Sequence, residues 1–107
     1  MLTAKLNEAD ADTLRQMVDR FRQQYPSKAI AVLGSIRDGR PTIIAAITED
    51  LVTHGLNAIE LVRFVAAPLG GGGGGKPTLA QAGGKDASKL DIALEDVEAW
   101  VKQHYTA

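Results

Sequence analysis

Six consecutive glycines, Gly70, Gly71, Gly72, Gly73, Gly74 and Gly75, run directly into Lys76 and Pro77. Glycine gives up more backbone freedom on folding than any other residue, so such a run needs a reason. The chemistry it suggests is anion binding. A bare backbone can approach a phosphate closely, its N–H groups aimed at the oxygens, and Lys76 adds a positive charge. A flexible linker would more usually carry Ser or Thr and separate two domains. Too little chain follows Pro77 to build a second domain. The spacing Gly70-x-x-x-x-Gly75-Lys76 matches most of the phosphate-binding P-loop, but that motif next needs a Ser or Thr hydroxyl for magnesium. Pro77 has neither hydroxyl nor N–H. The pattern Gly-x-Gly-x-x-Gly is matched trivially by any six-glycine run and carries no information.

Local charge supports the same chemistry. Between residues 63 and 89 the bases Arg63, Lys76, Lys85 and Lys89 face the single acid Asp86. Arg37 and Arg40 add to them, whereas Asp91, Glu95, Asp96 and Glu98 make the chain's end acidic. The net charge of −1 gives no chain-wide attraction to nucleic acid, but a few local phosphate contacts suffice for binding. No catalytic constellation is visible. His54 and His104, the only histidines, lack the neighbours of a metal or nucleophile site. His54, just before Gly55, suits a helix C-terminus, and His104 reads as a solvated residue near the chain end. Ser35 and Ser88 have no paired base in sequence, and Glu49-Asp50 reads as helix N-terminal charge. The lack of cysteine excludes disulfides and cysteine-ligated metals. The expected site therefore has no catalytic residue and no metal ligand.

Elements must hold the run in place. With 107 residues and 45% hydrophobic content the chain suits one small domain. Aromatics are 5%, so aliphatic residues must fill the core. Nothing approaches the roughly 20 apolar residues of a membrane span, and no signal peptide is visible. Leu2, Ala4 and Leu6 alternate as a strand, which so close to residue 1 suggests a piece of a longer protein. Asp10 caps a helix with Leu14, Met17, Val18 and Phe21 at helical spacing, ending near Tyr25-Pro26. Ala29 to Ile36 reads as a strand buried on both faces. Asp38-Gly39 signals a type I′ turn, and Thr42 to Thr48 returns. Glu49 to His54 forms a helical turn closed by Gly55. Asn57 caps a helix that buries Leu61, Val62 and Val65 and stops near Pro68. Thr78 to Ala82 is extended, Gly83-Gly84 breaks it, and Ser88 with Asp91 resembles a capping box. Leu90, Leu94, Val97 and Val101 line a final helix to about Tyr105, with Trp100 in its core rather than stacked on a base. The order predicts a single α/β layered domain with a mixed sheet, helices packed on it, and a Gly-rich loop between a helix and an extended segment.

From Gly55 to Leu90 the chain resembles the C-terminal domain of bacterial alanyl-tRNA synthetases, the DHHA1-type or C-Ala domain. The resemblance rests on Gly55-Leu56-Asn57-Ala58, the helix through Leu61-Val62, the run Gly70 to Gly75, and above all Ala80-Gln81-Ala82-Gly83-Gly84-Lys85-Asp86. The hairpin from Val32-Leu33-Gly34-Ser35 through Ala45 is consistent with it. Lys76 matches the basic residue that precedes the proline in that family, while Thr78 departs from a more often acidic position. In the related phosphoesterases of the DHH type the glycine run typically ends in histidine, so Lys76 favours the synthetase branch.

The resemblance implies that residues 1–107 are one domain taken from a longer cytoplasmic synthetase chain. It implies contact with tRNA(Ala) at the elbow and help in coupling aminoacylation to editing. Gly70 to Gly75, Lys76, Arg63, Gln81 and Lys85 would form the tRNA-binding site. The parent would be an alanine–tRNA ligase using ATP, magnesium and zinc, none of them bound in this segment, which alone is not expected to be an enzyme. Its partners would be tRNA and the rest of the synthetase, with no membrane and with self-association left open. The helical segment through which parents dimerise would lie upstream. Alternatives are the nucleotide- or single-strand-binding domain of a DHH phosphoesterase, or a protein-interaction module without RNA contact. Valine at Gly72 and Gly73 is expected to block docking and spare the fold.

Overall fold

A computed structural model describes residues 1–106. Five strands form one mixed sheet in the order β1-β2-β3-β5-β4. They are β1 (Leu2–Asn7), β2 (Ile30–Arg37), β3 (Arg40–Ile47), β4 (Gly72–Lys76) and β5 (Leu79–Gly83). Only the β1–β2 pairing is parallel. The helix α1 (Ala11–Gln24) connects that pair, as a parallel connection requires. The remaining helices are α2 (Glu49–Val52), α3 (Ala58–Ala66), α4 (Leu90–Glu95) and α5 (Val97–His104). Short 3₁₀ turns at Ala67–Leu69 and Ala87–Lys89 follow α3 and precede α4.

The expected elements form for the expected reasons. Asp10 caps α1 by accepting from the Thr13 N–H at 2.8 Å. Asn57 caps α3 through the N–H groups of Ile59 and Glu60. Asp38 and Gly39 have φ of +52° and +74°, the two left-handed residues of a type I′ turn. Strands β2 and β3 pair over their full length, Ile30 with Ile47 through Arg37 with Arg40. Alternation along them builds two cores. On one face Ile30, Val32, Ile43, Ala45 and Ile47, with Ala80 and Ala82 of β5, meet Leu61, Val62 and Val65 of α3 and the α4–α5 side chains. On the other, Leu33, Ile44 and Ala46 meet Leu14 and Val18 of α1. Trp100 lies in the first core at 5% exposure, as expected.

Four expectations change. The chain over Gly72–Lys76 is a strand, not a loop. The last helix breaks at Asp96, so α4 and α5 are separate. The 3₁₀ turn leading into α4 is capped by Asp86, which accepts from the Ser88 N–H at 2.9 Å and the Ser88 hydroxyl at 2.6 Å, and Ser88 caps neither element. These bonds, the hydroxyl first, hold the Asp86 carboxyl below the usual aspartate range. His104 is half-buried rather than solvated, stacked 4.2 Å from the Trp100 ring.

Candidate nucleic-acid interface

Extended backbone must find hydrogen-bond partners, and the glycine run finds them in β5. Gly72 pairs with Gly83, Gly73 with Ala82, Gly74 with Gln81, Gly75 with Ala80 and Lys76 with Leu79. Gly70 and Gly71 are not free donors either. Gly70, at φ +73°, bonds through its N–H to Ala67 O, and the Gly71 N–H reaches Ala66 O at 3.1 Å. Both N–H groups close α3, which corrects the expectation that they meet phosphate.

The ladder leaves other peptide groups open. Only Pro77 and Thr78 separate Lys76 from Leu79, so Lys76 and Leu79 form the closing hydrogen-bonded pair of the hairpin. Alternation then puts ladder bonds at Gly74 and Gly72 and turns the peptide groups of Gly75 and Gly73 outward. One contact agrees: Arg63 on α3 donates Nε–H to Gly73 O at 2.9 Å. Strand β4 is the last in the sheet, so no further strand pairs with this outward edge.

The glycines are not equivalent. A Cβ on Gly73 would collide with Gln81 O and lie 2.6 Å from Ala82 Cα. On Gly75, at φ +150°, it would lie 2.6 Å from Leu79 O. A Cβ on Gly71 would strike Gly83. At Gly72 and Gly74 an added Cβ meets nothing within 4 Å. The fold requires glycine at Gly71, Gly73 and Gly75 and has no steric use for it at Gly72 and Gly74. The expectation that valine at Gly73 spares the fold is therefore corrected, whereas Gly72 keeps it.

Register places Gly72, Gly74 and Lys76 on the same sheet face as Gln81 and Leu79. That is the α1 face, since Leu79 packs against the α1 core. Helix α1 lies over β2 and β3, and its core reaches β5 at Leu79, but Gln81, Gly72, Gly74 and Lys76 are exposed. A groove of about 480 Å³ runs between this bare surface and α1, which contributes Arg15, Asp19 and Arg22.

The expected site residues thus divide. Lys76 ends β4 at the hairpin. Arg63 reaches its middle from the α3 face. Lys85 lies at the opposite end, past the Gly72–Gly83 pair, its N–H bonded to Leu69 O at 2.9 Å. Three cations therefore follow one strand. Arg40 joins the Lys85 end, because the next residue, Pro41, accepts from the Gly84 N–H at 3.2 Å. Gln81 is on the α1 face. The motif around it is largely structural: Ala80 and Ala82 are buried, and a Cβ on Gly84 would lie 2.8 Å from Leu69 Cβ. Arg15 and Arg22 were missed by sequence reasoning. Their signal is the spacing of seven, which keeps both on one side of α1. Among the described residues, no cluster of three or more His, Cys, Asp or Glu could hold a metal ion. No helix there is long and apolar enough to cross a membrane.

The profile of the DHHA1 domain matches residues 1–103. The chain belongs to the DHHA1 domain family. This DHHA1 domain is 48% identical over 102 residues to the alanine–tRNA ligase of Geobacillus thermodenitrificans, covering 95% of the chain and 12% of that protein. It is 50% identical over 103 residues to that of Ralstonia nicotianae, covering 96% and 11%. The chain thus spans about an eighth of the relatives it matches. Its fold is that of the C-Ala domain from Aquifex aeolicus alanyl-tRNA synthetase, with TM-score 0.83, 28% identity, and coverage of 94% of this chain and 89% of that one. The DHH-domain protein described as a member of the s1p family of ribosomal proteins shares the fold, with TM-score 0.59 and 18% identity over 92% of this chain and 22% of that one.

Proposed function

We infer that this DHHA1 domain binds tRNA(Ala) at the elbow within an alanine–tRNA ligase and helps bring one tRNA to the aminoacylation and editing centres. The observation that carries the RNA contact is β4 itself. It is an exposed edge strand with no side chains from Gly72 to Gly75, two outward peptide groups, and cations along its length. A phosphodiester backbone can approach such an edge to hydrogen-bond distance. The outward N–H groups of Gly73 and Gly75 donate to phosphate oxygens, while Arg63, held on Gly73 O, and Lys76 supply charge. Backbone donors and point charges carry no base code, so the contact adds affinity and register rather than amino-acid identity. The elbow assignment rests on the likeness to the C-Ala domain of a synthetase. On this reading the domain works in the cytoplasm with the rest of its synthetase. It performs no chemical step and needs no cofactor of its own; ATP, magnesium and zinc belong to the parent.

The test is binding of the chain to tRNA(Ala), to an acceptor-arm minihelix lacking the elbow, and to single-stranded RNA. Full tRNA binds best, with a salt slope of a few units, each neutralised phosphate contributing about −0.7 to −0.9. Lys76→Glu weakens tRNA binding, whereas Lys102→Glu, whose partner is Glu98 on α5, does not. Equal affinity for minihelix and tRNA removes the elbow assignment, and preference for single strands moves the domain toward the phosphoesterase reading.

A further inference from the structure

The groove on the α1 face has a composition that phosphate binding alone does not explain. Its floor at Gly74 is bare although a side chain would fit there. Gln81 stands beside that floor, being the cross-strand partner of Gly74. Lys76 forms one end, and Arg15 and Arg22 of α1 form the opposite wall. Between the two arginines in sequence, and in the same groove, is Asp19. All three α1 side chains are exposed, and none is ion-paired among the described residues. A carboxylate repels phosphate. In an otherwise basic groove it suits a ligand that also brings hydrogen-bond donors.

We propose that this groove holds one unpaired guanine nucleotide of the bound RNA. The proposal rests on the RNA-binding reading above and extends it from backbone to base. The guanine ring lies on the side-chain-free peptides of Gly74 and Gly75. Its N1–H and N2–H groups, two donors side by side, donate to the Asp19 carboxylate. No other RNA base presents that pair of donors on its Watson–Crick edge. The Gln81 carboxamide donates to an acceptor on the same base, as amide side chains do in single-strand recognition. The flanking phosphates pair with Arg15 and Arg22 on one side and Lys76 on the other. The volume of about 480 Å³ falls within the roughly 300–1,000 Å³ of small-ligand sites. Beyond Asp19 and Arg22 the surface turns acidic, with Glu49 and Asp50 lining the adjoining hollow. That limits the groove to a single nucleotide and turns the strand back toward β4.

The test uses four fluorescein-labelled pentaribonucleotides, UUGUU, UUAUU, UUCUU and UUUUU, titrated with the 107-residue chain and followed by anisotropy and by backbone amide shifts. The G-centred pentamer binds at least fivefold tighter than the other three. Its shifts centre on Arg15, Asp19, Arg22, Gly74 and Gln81. Asp19→Asn erases the preference for G. Gln81→Ala weakens the G-centred pentamer most, and Arg15→Gln with Arg22→Gln weakens all four alike. Equal binding of the four pentamers, or a G preference that survives Asp19→Asn, overturns the proposal. So do shifts confined to Arg63, Gly73 and Lys85. The tRNA–minihelix comparison is a separate measurement: elbow-dependent binding with no pentamer selectivity leaves the RNA reading standing and removes the groove.

Discussion

Two hairpins share this sheet and are built on opposite terms. In β2–β3 nearly every side chain is buried, on alternating faces, and Asp38-Gly39 fixes the turn. In β5–β4 the inner strand still contributes Ala80 and Ala82 to the core, but the outer one has almost nothing to bury. Glycine weakens a strand by its entropy cost and by leaving no side chain to pack. The first hairpin is thus held by its side chains, and the second by its ladder, by α3 and by the bonds of its turn, where Ala58 N–H reaches Pro77 O at 2.8 Å and Ile47 N–H reaches Thr78 O at 3.0 Å. The difference separates two jobs within one sheet. The β2–β3 end stabilises the domain, and the β4 end keeps peptide groups accessible on a rigid support.

The largest effect expected is in the first hairpin. Ile43 is fully buried among the α3-face residues. Ile43→Ala removes that packing and costs about 2–5 kcal/mol in chemical denaturation. If the loss were under about 1 kcal/mol, side-chain burial would not be what distinguishes β2–β3. Next comes Gly73→Val, which forces a side chain into β5 and costs about 1–3 kcal/mol, with hydrogen-exchange protection lost first at Gly74 and Gln81. Unchanged stability would mean that β4 can shift freely and that the alternate glycines are not required.

Asn57→Ala removes the α3 cap and costs about 1 kcal/mol, again read by denaturation. A smaller, global effect comes from acid. Thr13 N–H and hydroxyl bonds hold the Asp10 carboxyl below the usual aspartate value, and the Thr48 hydroxyl and then the Lys28 N–H do so for Asp50. With Asp86 these groups are depressed in the folded state. Their contribution is complete above the unfolded value of about 4. It is lost as pH falls through the folded values. The melting temperature should hold steady from pH 7 to 5 and drop below about pH 4. A fall already between pH 7 and 5 would contradict the caps as the source.

Side-chain pattern made most of the first hairpin legible and hid the second. Val32, Ile43 and Ile47 announce their strands by burial and branching, Asp10 and Asn57 announce helix starts, and Asp38-Gly39 names its turn. Six glycines offer no alternation from which a strand could be read, so β4 emerges only from its pairing with β5. The break at Asp96 was hidden for the opposite reason, because Leu94 and Val97 are buried on both sides of it and keep the apolar pattern continuous. Lys76, Arg63 and Lys85 lie along β4, while Gln81, named only through the family resemblance, is on its α1 face. Arg15 and Arg22 were invisible because they look like the solvated face of an amphipathic helix. Only the uncovered half of the sheet shows what they face.

The central claim is that the α1 face of β4, at Gly72 and Gly74, is bare for the sake of RNA rather than for the fold, and Gly74→Val tests it most directly. An added side chain at Gly74 meets open space, and a β-branched residue suits a strand better than glycine. The melting temperature should therefore hold or rise slightly while tRNA(Ala) affinity at matched salt falls at least tenfold. A folded Gly74→Val chain that binds tRNA(Ala) as tightly as the parent would contradict the account.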